Sequence, residues 1–452
     1  MKKSRLYARL LGTLVLGSML FSCTHLNGTN GTDGIDNSGD DKMVLKDNNG
    51  VSDKDEVTGS GGGAVIIDDK FIRGFDASAV DYDEELNKTK FSDTTGSKMD
   101  FFKILAAHAF NTVRLRIFVD PDNAPVEDSY WQSGSDGWKS GNNTLERTIR
   151  MAKRAKEAGL KVLLDFFYSD YWADPGKQVI PKSWQNIATS DAMAAKVAEY
   201  TTEVLTAMIN AGVAPDYVQV GNEIDSGILV HTAYKAATSS SQAKATAASS
   251  AIQGTGGSAN FVKYLKAGCD AVKKTSPSTK IILHVTNRKP TNILTQSISS
   301  QLNYDIVGLS FYPFENSHGT IADLKKNIQT FRGNGYGKQV MVTEAATYFD
   351  YDSGSYTDLA NVAKHMIDPA TGNVYTDLET EKVNGSTLIV KGSVPNQLNT
   401  LRHIMMETAA AGGTGVFYWG GEYRGQWKYG LFDWYGKAMD SINCFNEKIP
   451  SN

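Results

Sequence analysis

From about Asp69 onward, short apolar or β-branched runs alternate with longer stretches of helical period, and the alternation repeats eight times. The strand-like runs are Phe71–Phe75, Thr112–Ile117, Lys161–Phe166, Tyr217–Val220, Ile281–Val285, Ile306–Ser310, Val340–Thr343 and Gly415–Trp419. A stretch from Thr144 carries apolar residues every 3.6 positions and stops at Gly159, a fitting C-cap. Asp191–Ala211 and Phe261–Lys274 repeat that period. Strands separated by helices are joined by crossovers, so they pair in parallel and need helices to cover them. Eight units over residues 69–448 average about 47 residues each, which suits a single (β/α)8 TIM barrel with long loops. The other architecture open to this pattern, a doubly wound open sheet, wants a Gly-rich phosphate turn after its first strand. Gly74-Phe75-Asp76-Ala77-Ser78 is not such a turn, and no GxGxxG or P-loop occurs elsewhere.

The N-terminus reads as an address. Lys2, Lys3, Arg5 and Arg9 precede the run Leu10–Phe21, which has the length of a signal-peptide apolar region and is too short to span a bilayer. Leu20-Phe21-Ser22-Cys23 resembles a bacterial lipoprotein signal, cut before a cysteine that is then acylated; an ordinary secretory signal is the alternative. Residues 23–67 are rich in Gly, Asp and Asn and hold no Phe, Trp or Tyr, so they cannot bury a core and are expected to form a disordered, acidic tether. The chain therefore divides into a signal peptide (1–22), a tether with a lipidated Cys23 (23–67) and the barrel domain (68–450). This places the protein in the outer membrane or at the cell surface, in contact with lipid only through its anchor.

Composition removes other classes. The chain has 46 basic and 50 acidic side chains, so no basic field argues for nucleic acid. Three cysteines are too few for a disulfide scaffold or a four-thiolate zinc site. Cys269 and Cys444 fall in expected helices and read as small buried residues. A monomer is expected.

A barrel keeps its active site at the C-terminal ends of its strands, so the side chains that follow each run are the candidates. They are Arg114 and Arg116 (second strand), Asp165, Ser169 and Asp170 (third), Asn222 and Glu223 (fourth), His284 and Asn287 (fifth), Tyr312 (sixth), Glu344 (seventh) and Trp419 (eighth). Glu223 and Glu344 each close an apolar run, and the fourth and seventh strands face each other across the mouth. Glycoside hydrolysis needs such a pair, one carboxyl protonated and one ionised. An arginine beside the nucleophile keeps it ionised, and Arg114 is the candidate. The tryptophans add to this. Trp131 and Trp138 follow the second strand, Trp172 and Trp184 the third, and Trp419, Trp427 and Trp434 close or follow the eighth. All seven are expected on the mouth side, with two or three stacked on sugar along a groove that takes a polymer.

These segments resemble the arabinogalactan endo-β-1,4-galactanases, glycoside hydrolase family 53. The most specific piece runs from Asp165 to Gln178 (Asp-Phe-Phe-Tyr-Ser-Asp-Tyr-Trp-Ala-Asp-Pro-Gly-Lys-Gln), followed by Pro181 and Trp184. Ile72–Ser78, Asn111–Ile117, Val218–Ile224, Gly308–Phe314, Val342–Ala346 and Leu431–Lys437 are also similar. The resemblance implies a barrel of the clan whose acid/base and nucleophile end strands 4 and 7: Glu223 as acid/base, Glu344 as nucleophile, and Asn222 as donor to the sugar 2-hydroxyl. It implies retaining endo-cleavage of β-1,4-galactan from type I arabinogalactan. Arg114, Asp165, Ser169, Asp170, Trp172, His284, Tyr312 and Trp419 are the expected substrate-binding residues. Two departures stand out. Phe167 occupies the place of a family histidine, so a polar contact near the cleavage point is expected to be lost. Some members hold Ca2+ in a long loop after strand 8, but Gly420–Leu431 is short with Glu422 as its carboxylate, so neither metal nor other cofactor is expected. Two other readings remain: another endo-glycanase of the clan, such as a mannanase or cellulase, and an inactive glycan-binding surface lipoprotein.

Overall fold

A computed structural model describes residues 42–45, 65–68, 70–121, 143–235, 244–333, 335–426 and 428–446. Cys23, the signal segment, most of the expected tether, and Trp131, Trp138 and Trp427 lie outside the described residues. Eight parallel strands close into a barrel: β1 (Ile72–Asp76), β2 (Thr112–Ile117), β3 (Lys161–Phe166), β4 (Tyr217–Val220), β5 (Lys280–Thr286), β6 (Ile306–Ser310), β7 (Gln339–Ala345) and β8 (Gly415–Tyr418). Each strand pairs with its neighbours in sequence, and β8 pairs with β1. This is the expected (β/α)8 fold. Within the stretch read as a tether, Lys42–Leu45 pairs antiparallel with Val65–Asp68.

Alternation along the strands decides what fills the barrel. Ile72, Leu163, Ile282, Ile306, Met341 and Phe417 form an inner apolar cluster at the N-terminal end. Two residues further along the same strands come Gly74, Asp165, His284, Gly308 and Thr343. The interior thus changes from apolar to polar toward the mouth. The opposite faces, among them Phe75, Val113, Leu115, Leu164 and Val342, join the larger core under the helices.

The helices begin and end where local chemistry dictates. Thr144 caps Leu145–Glu157 by accepting from Arg147 N, and Gly159 (φ 82°) follows in the left-handed conformation. Ser258 caps Ala259–Thr275, and Thr320 with Asp323 makes a full capping box on Ile321–Arg332. Ser190–Asn210 and Val394–Ala410 complete the long helices. Between β5 and β6 the chain makes only two short helical turns, Pro290–Ile293 and Gln296–Ser299. A hairpin of Thr380–Val383 and Thr387–Val390 stands in the long excursion after β7. Cys269 and Cys444 are buried and unbridged. Among the described residues, no helix is long and apolar enough to cross a membrane.

Candidate active site

The site is organised around one guanidinium. Arg114, on β2, has no exposed surface. Its Nη1 donates to Asp76 Oδ2 on β1 at 2.7 Å. Its Nη2 lies 2.7 Å from Asp165 Oδ2 on β3, 2.7 Å from Asn222 Oδ1 after β4 and 2.9 Å from Glu344 Oε1 on β7. Asp76 and Arg114 are ladder neighbours, so the pairing of β1 with β2 places this ion pair. A planar fork can meet several acceptors at fixed angles, which an ammonium cannot. Asp165 is also buried; burial pushes its carboxyl up to about 8, against the pull of Arg114.

Glu344 reaches the cleft because β7 breaks register. Leu309 pairs with Val342, but Ser310 pairs with Glu344, one residue further on. Met341 and Thr343 point into the barrel, so strict alternation would turn Glu344 outward; the bulge turns it in. Tyr312 OH donates to Glu344 Oε2 at 2.6 Å. Burial pushes the Glu344 carboxyl up, and the charge of Arg114 and the Tyr312 hydrogen bond draw it back.

Glu223 sits on strained backbone. After β4 the chain passes Gly221 (φ 85°), and Glu223 itself adopts φ 42°, ψ 60°, an uncommon conformation for a residue with a Cβ. The neighbouring loop over-determines it. Gln178 Nε2 donates to Asn222 O at 2.8 Å, and Asn222 Nδ2 donates to Ala173 O at 2.8 Å. The Asp165–Gln178 segment therefore braces the peptide that carries Glu223. Ser310 Oγ donates to Glu223 Oε1 at 2.7 Å. Glu223 is partly exposed and forms no ion pair among the described residues. Burial raises its carboxyl well above the usual range, and the charge of Glu344 raises it further.

Both carboxyls thus meet at one place. Ser310, the ladder neighbour of Glu344, is bonded to Glu223, while Arg114 touches Glu344 and the residue next to Glu223.

Partly exposed aromatics line the opening. Trp419 stands edge-on to Trp172 (6.0 Å between ring centroids) and to Tyr312 (6.2 Å). The Arg116 guanidinium lies 4.7 Å over the Trp172 ring, and its Nη2 donates to Tyr423 OH at 2.8 Å. Phe167 packs between Phe118 and Trp172 in a small apolar cluster, so the place of the expected polar contact is a support for Trp172.

Several expectations change. Trp184 was expected at the mouth, but it is buried against Tyr200 in the core. Asp165, Ser169, Asp170 and His284, expected to bind substrate, have almost no exposed surface. Asp170 accepts from the backbone N–H groups of Asp120 and Lys182, which ties the loops after β2 and β3. Burial pushes its carboxyl up to about 6. Asp76, Gln178, Gln219 and Ser310 were not singled out from sequence, although each belongs to this network. Their one signal was position: Asp76 continues the Ile72–Gly74 face and Ser310 the Ile306–Gly308 face. Among the described residues, no group of three His, Cys, Asp or Glu side chains is arranged to hold a metal ion.

The model of glycosyl hydrolase family 53 matches residues 72–450. The sequence is 32% identical over 355 residues to an endo-beta-1,4-galactanase of Bacillus subtilis (strain 168), across 77% of this chain and 69% of that protein. It is 32% identical over 282 residues to an arabinogalactan endo-beta-1,4-galactanase of Thermothelomyces thermophilus, across 60% of this chain and 73% of that one. The fold matches an Ignisphaera aggregans GH53 catalytic domain with TM-score 0.64 at 28% identity, covering 84% of this chain and 96% of the other. A structure from a study of two fungal beta-1,4-galactanases matches with TM-score 0.62 at 26% identity, covering 83% and 98%.

Proposed function

Because the chain belongs to glycosyl hydrolase family 53 and is therefore a glycosidase, we propose that it cleaves β-1,4-galactan internally by double displacement, with retention at the anomeric carbon. The observation that carries this reading is the unequal setting of two adjoining carboxyls. Glu344 has a guanidinium and a phenol holding its charge, whereas Glu223 has a hydroxyl and no ion pair among the described residues. One shared proton then resides on Glu223.

In the first step a Glu344 carboxylate oxygen attacks the anomeric carbon while Glu223 gives its proton to the glycosidic oxygen. The carbon–oxygen bond breaks, and the leaving chain departs as an alcohol. In the second step water attacks the same carbon, Glu223 takes its proton, and the bond to Glu344 breaks. Asn222 has a second Nδ2 N–H for the sugar 2-hydroxyl. Trp172 and Trp419 present ring faces and edges suited to the apolar side of a pyranose. The names of the related proteins support β-1,4-galactan as substrate. The reading needs no cofactor. It also includes export and a lipid on Cys23, supported by the Leu20–Cys23 pattern; Cys23→Ala should leave the membrane fraction, and its retention there would refute the anchor.

The test of activity is reducing-sugar release from linear galactan. Glu344→Ala should lose turnover yet still be retarded on a galactan affinity gel; normal turnover by that variant would remove Glu344 from the mechanism. Proton NMR of early products should show the β-anomer first, and an initial α-anomer would exclude retention.

A further inference from the structure

His284 and Ser310 form a buried relay behind Glu223. His284 has no exposed surface and sits on β5 between the fourth and sixth strands. Its Nδ1 receives Gln219 Nε2 at 3.1 Å and the Glu223 backbone N–H at 3.4 Å. Asn222 Oδ1, 3.0 Å from the same nitrogen, already accepts from Arg114. With its lone pair facing two donors, the ring carries its proton on Nε2, which lies 2.8 Å from Ser310 Oγ. The hydroxyl oxygen thus accepts from the ring, and its own hydrogen turns to Glu223 Oε1 at 2.7 Å.

We propose that Ser310, aimed by His284, is a positioning residue that gives the two oxygens of Glu223 separate tasks. Oε1 takes the Ser310 hydrogen bond throughout the cycle, and Oε2 carries the proton that moves to and from the glycosidic oxygen. This rests on Glu223 being the acid/base. The bond has a second consequence. A hydroxyl donated to a carboxylate favours its ionised form, so Ser310 opposes the groups that hold the proton on Glu223. Those influences are burial first and then the charges of Glu344 on β7, Asp225 on the same loop and Asp174 on the loop after β3, while Tyr312 after β6 faces Glu223 as an uncharged phenol. Without this opposition the acid would part with its proton too reluctantly, and the second step would lack its base. His284 itself stays neutral, because burial, Arg114 and His318 all disfavour its charged form.

The test is the pH profile of kcat/KM on linear galactan. Its alkaline limb reports ionisation of the acid in the free enzyme. Ser310→Ala should move that limb to higher pH by about one unit, the effect of one hydrogen bond to a charged group. Ser310→Thr, which keeps the hydroxyl, should restore the wild-type limb. His284→Asn, which leaves the hydroxyl unaimed, should move the limb in the same direction by less. A Ser310→Ala profile that is lowered uniformly, or whose alkaline limb stays or moves down, overturns the proposal. A separate arm tests the premise: azide should rescue Glu223→Ala on a dinitrophenyl β-galactobioside and yield a β-glycosyl azide. Failure of rescue overturns the acid/base assignment and the relay with it. Rescue with an unmoved Ser310→Ala limb overturns the relay alone.

Discussion

A lysine at position 114 could not reach all four of the groups that Arg114 touches. The carboxylates left without a cation would lie buried, and Glu344 would bind its proton more tightly. Arg114→Lys is therefore expected to lower kcat on the order of 10²-fold and to move the acidic limb of the pH profile upward. An unchanged acidic limb would mean that Arg114 does not hold the nucleophile's charge. Glu223, Glu344 and Arg114 were legible in sequence because each ends or interrupts an apolar strand, where a charged side chain needs a reason. Asp76, Gln219 and Ser310 were not. A serine or an aspartate near a strand end is common, and their roles arise from cross-strand neighbours that lie 38 to 87 residues away. For the same reason Trp184 was misplaced: its position in the chain marks a loop on the mouth side, but only packing against Tyr200 shows that it points into the core.

At the scale of elements, the strands were legible from apolar runs, and their ends were not. β1 extends to Asp76 and β7 to Ala345 because the ladder continues under polar side chains that no apolar pattern reveals. The bulge that turns Glu344 inward likewise leaves no trace in composition. Close packing inside the barrel is equally silent, and Gly74 is an example. A Cβ there would lie 2.1 Å from Phe417 Cδ1. Gly74→Ala should lose about 1–3 kcal/mol in urea unfolding, and Phe417→Leu in the same chain should recover part of that loss. Simple additivity of the two changes would contradict the contact. The loop after β8 supports an expectation of a different kind. Its carboxylate, Glu422, is turned inward with 1% of its surface exposed, in the neighbourhood of Asp76 and Arg116. Treatment with EDTA should therefore leave both kcat and Tm unchanged; a loss restored by Ca2+ would return the calcium site to this loop.

The whole molecule couples folding to protons in two opposed directions. His231, His284, His318 and His365 are held neutral by burial, His318 down to about 4. Below their ordinary pKa near 6.5 the unfolded chain binds protons that the folded one refuses, so stability falls as pH drops through that range. Asp165, Glu223 and Glu422 are pushed upward by burial, Asp165 to about 8. Above the ordinary carboxylate pKa the folded chain holds protons that the unfolded one has released, so stability falls as pH rises. Between pH 4 and 6.5 the two slopes oppose each other; above 6.5 the carboxyl slope stands alone. Thermal unfolding should therefore show a maximum near about pH 6 and a decline toward pH 8. Glu223→Gln keeps the shape of the side chain and removes one alkaline contribution. It should unfold above wild type at pH 8, in a barrel of this size where each 1 kcal/mol moves Tm by only about 1–2 °C. The difference should vanish near pH 4, where the native glutamic acid is protonated whether the chain is folded or not. An offset that stayed constant from pH 4 to pH 8 would show that Glu223 does not keep its proton in the folded enzyme, and the division of roles between the two glutamates would fall with it.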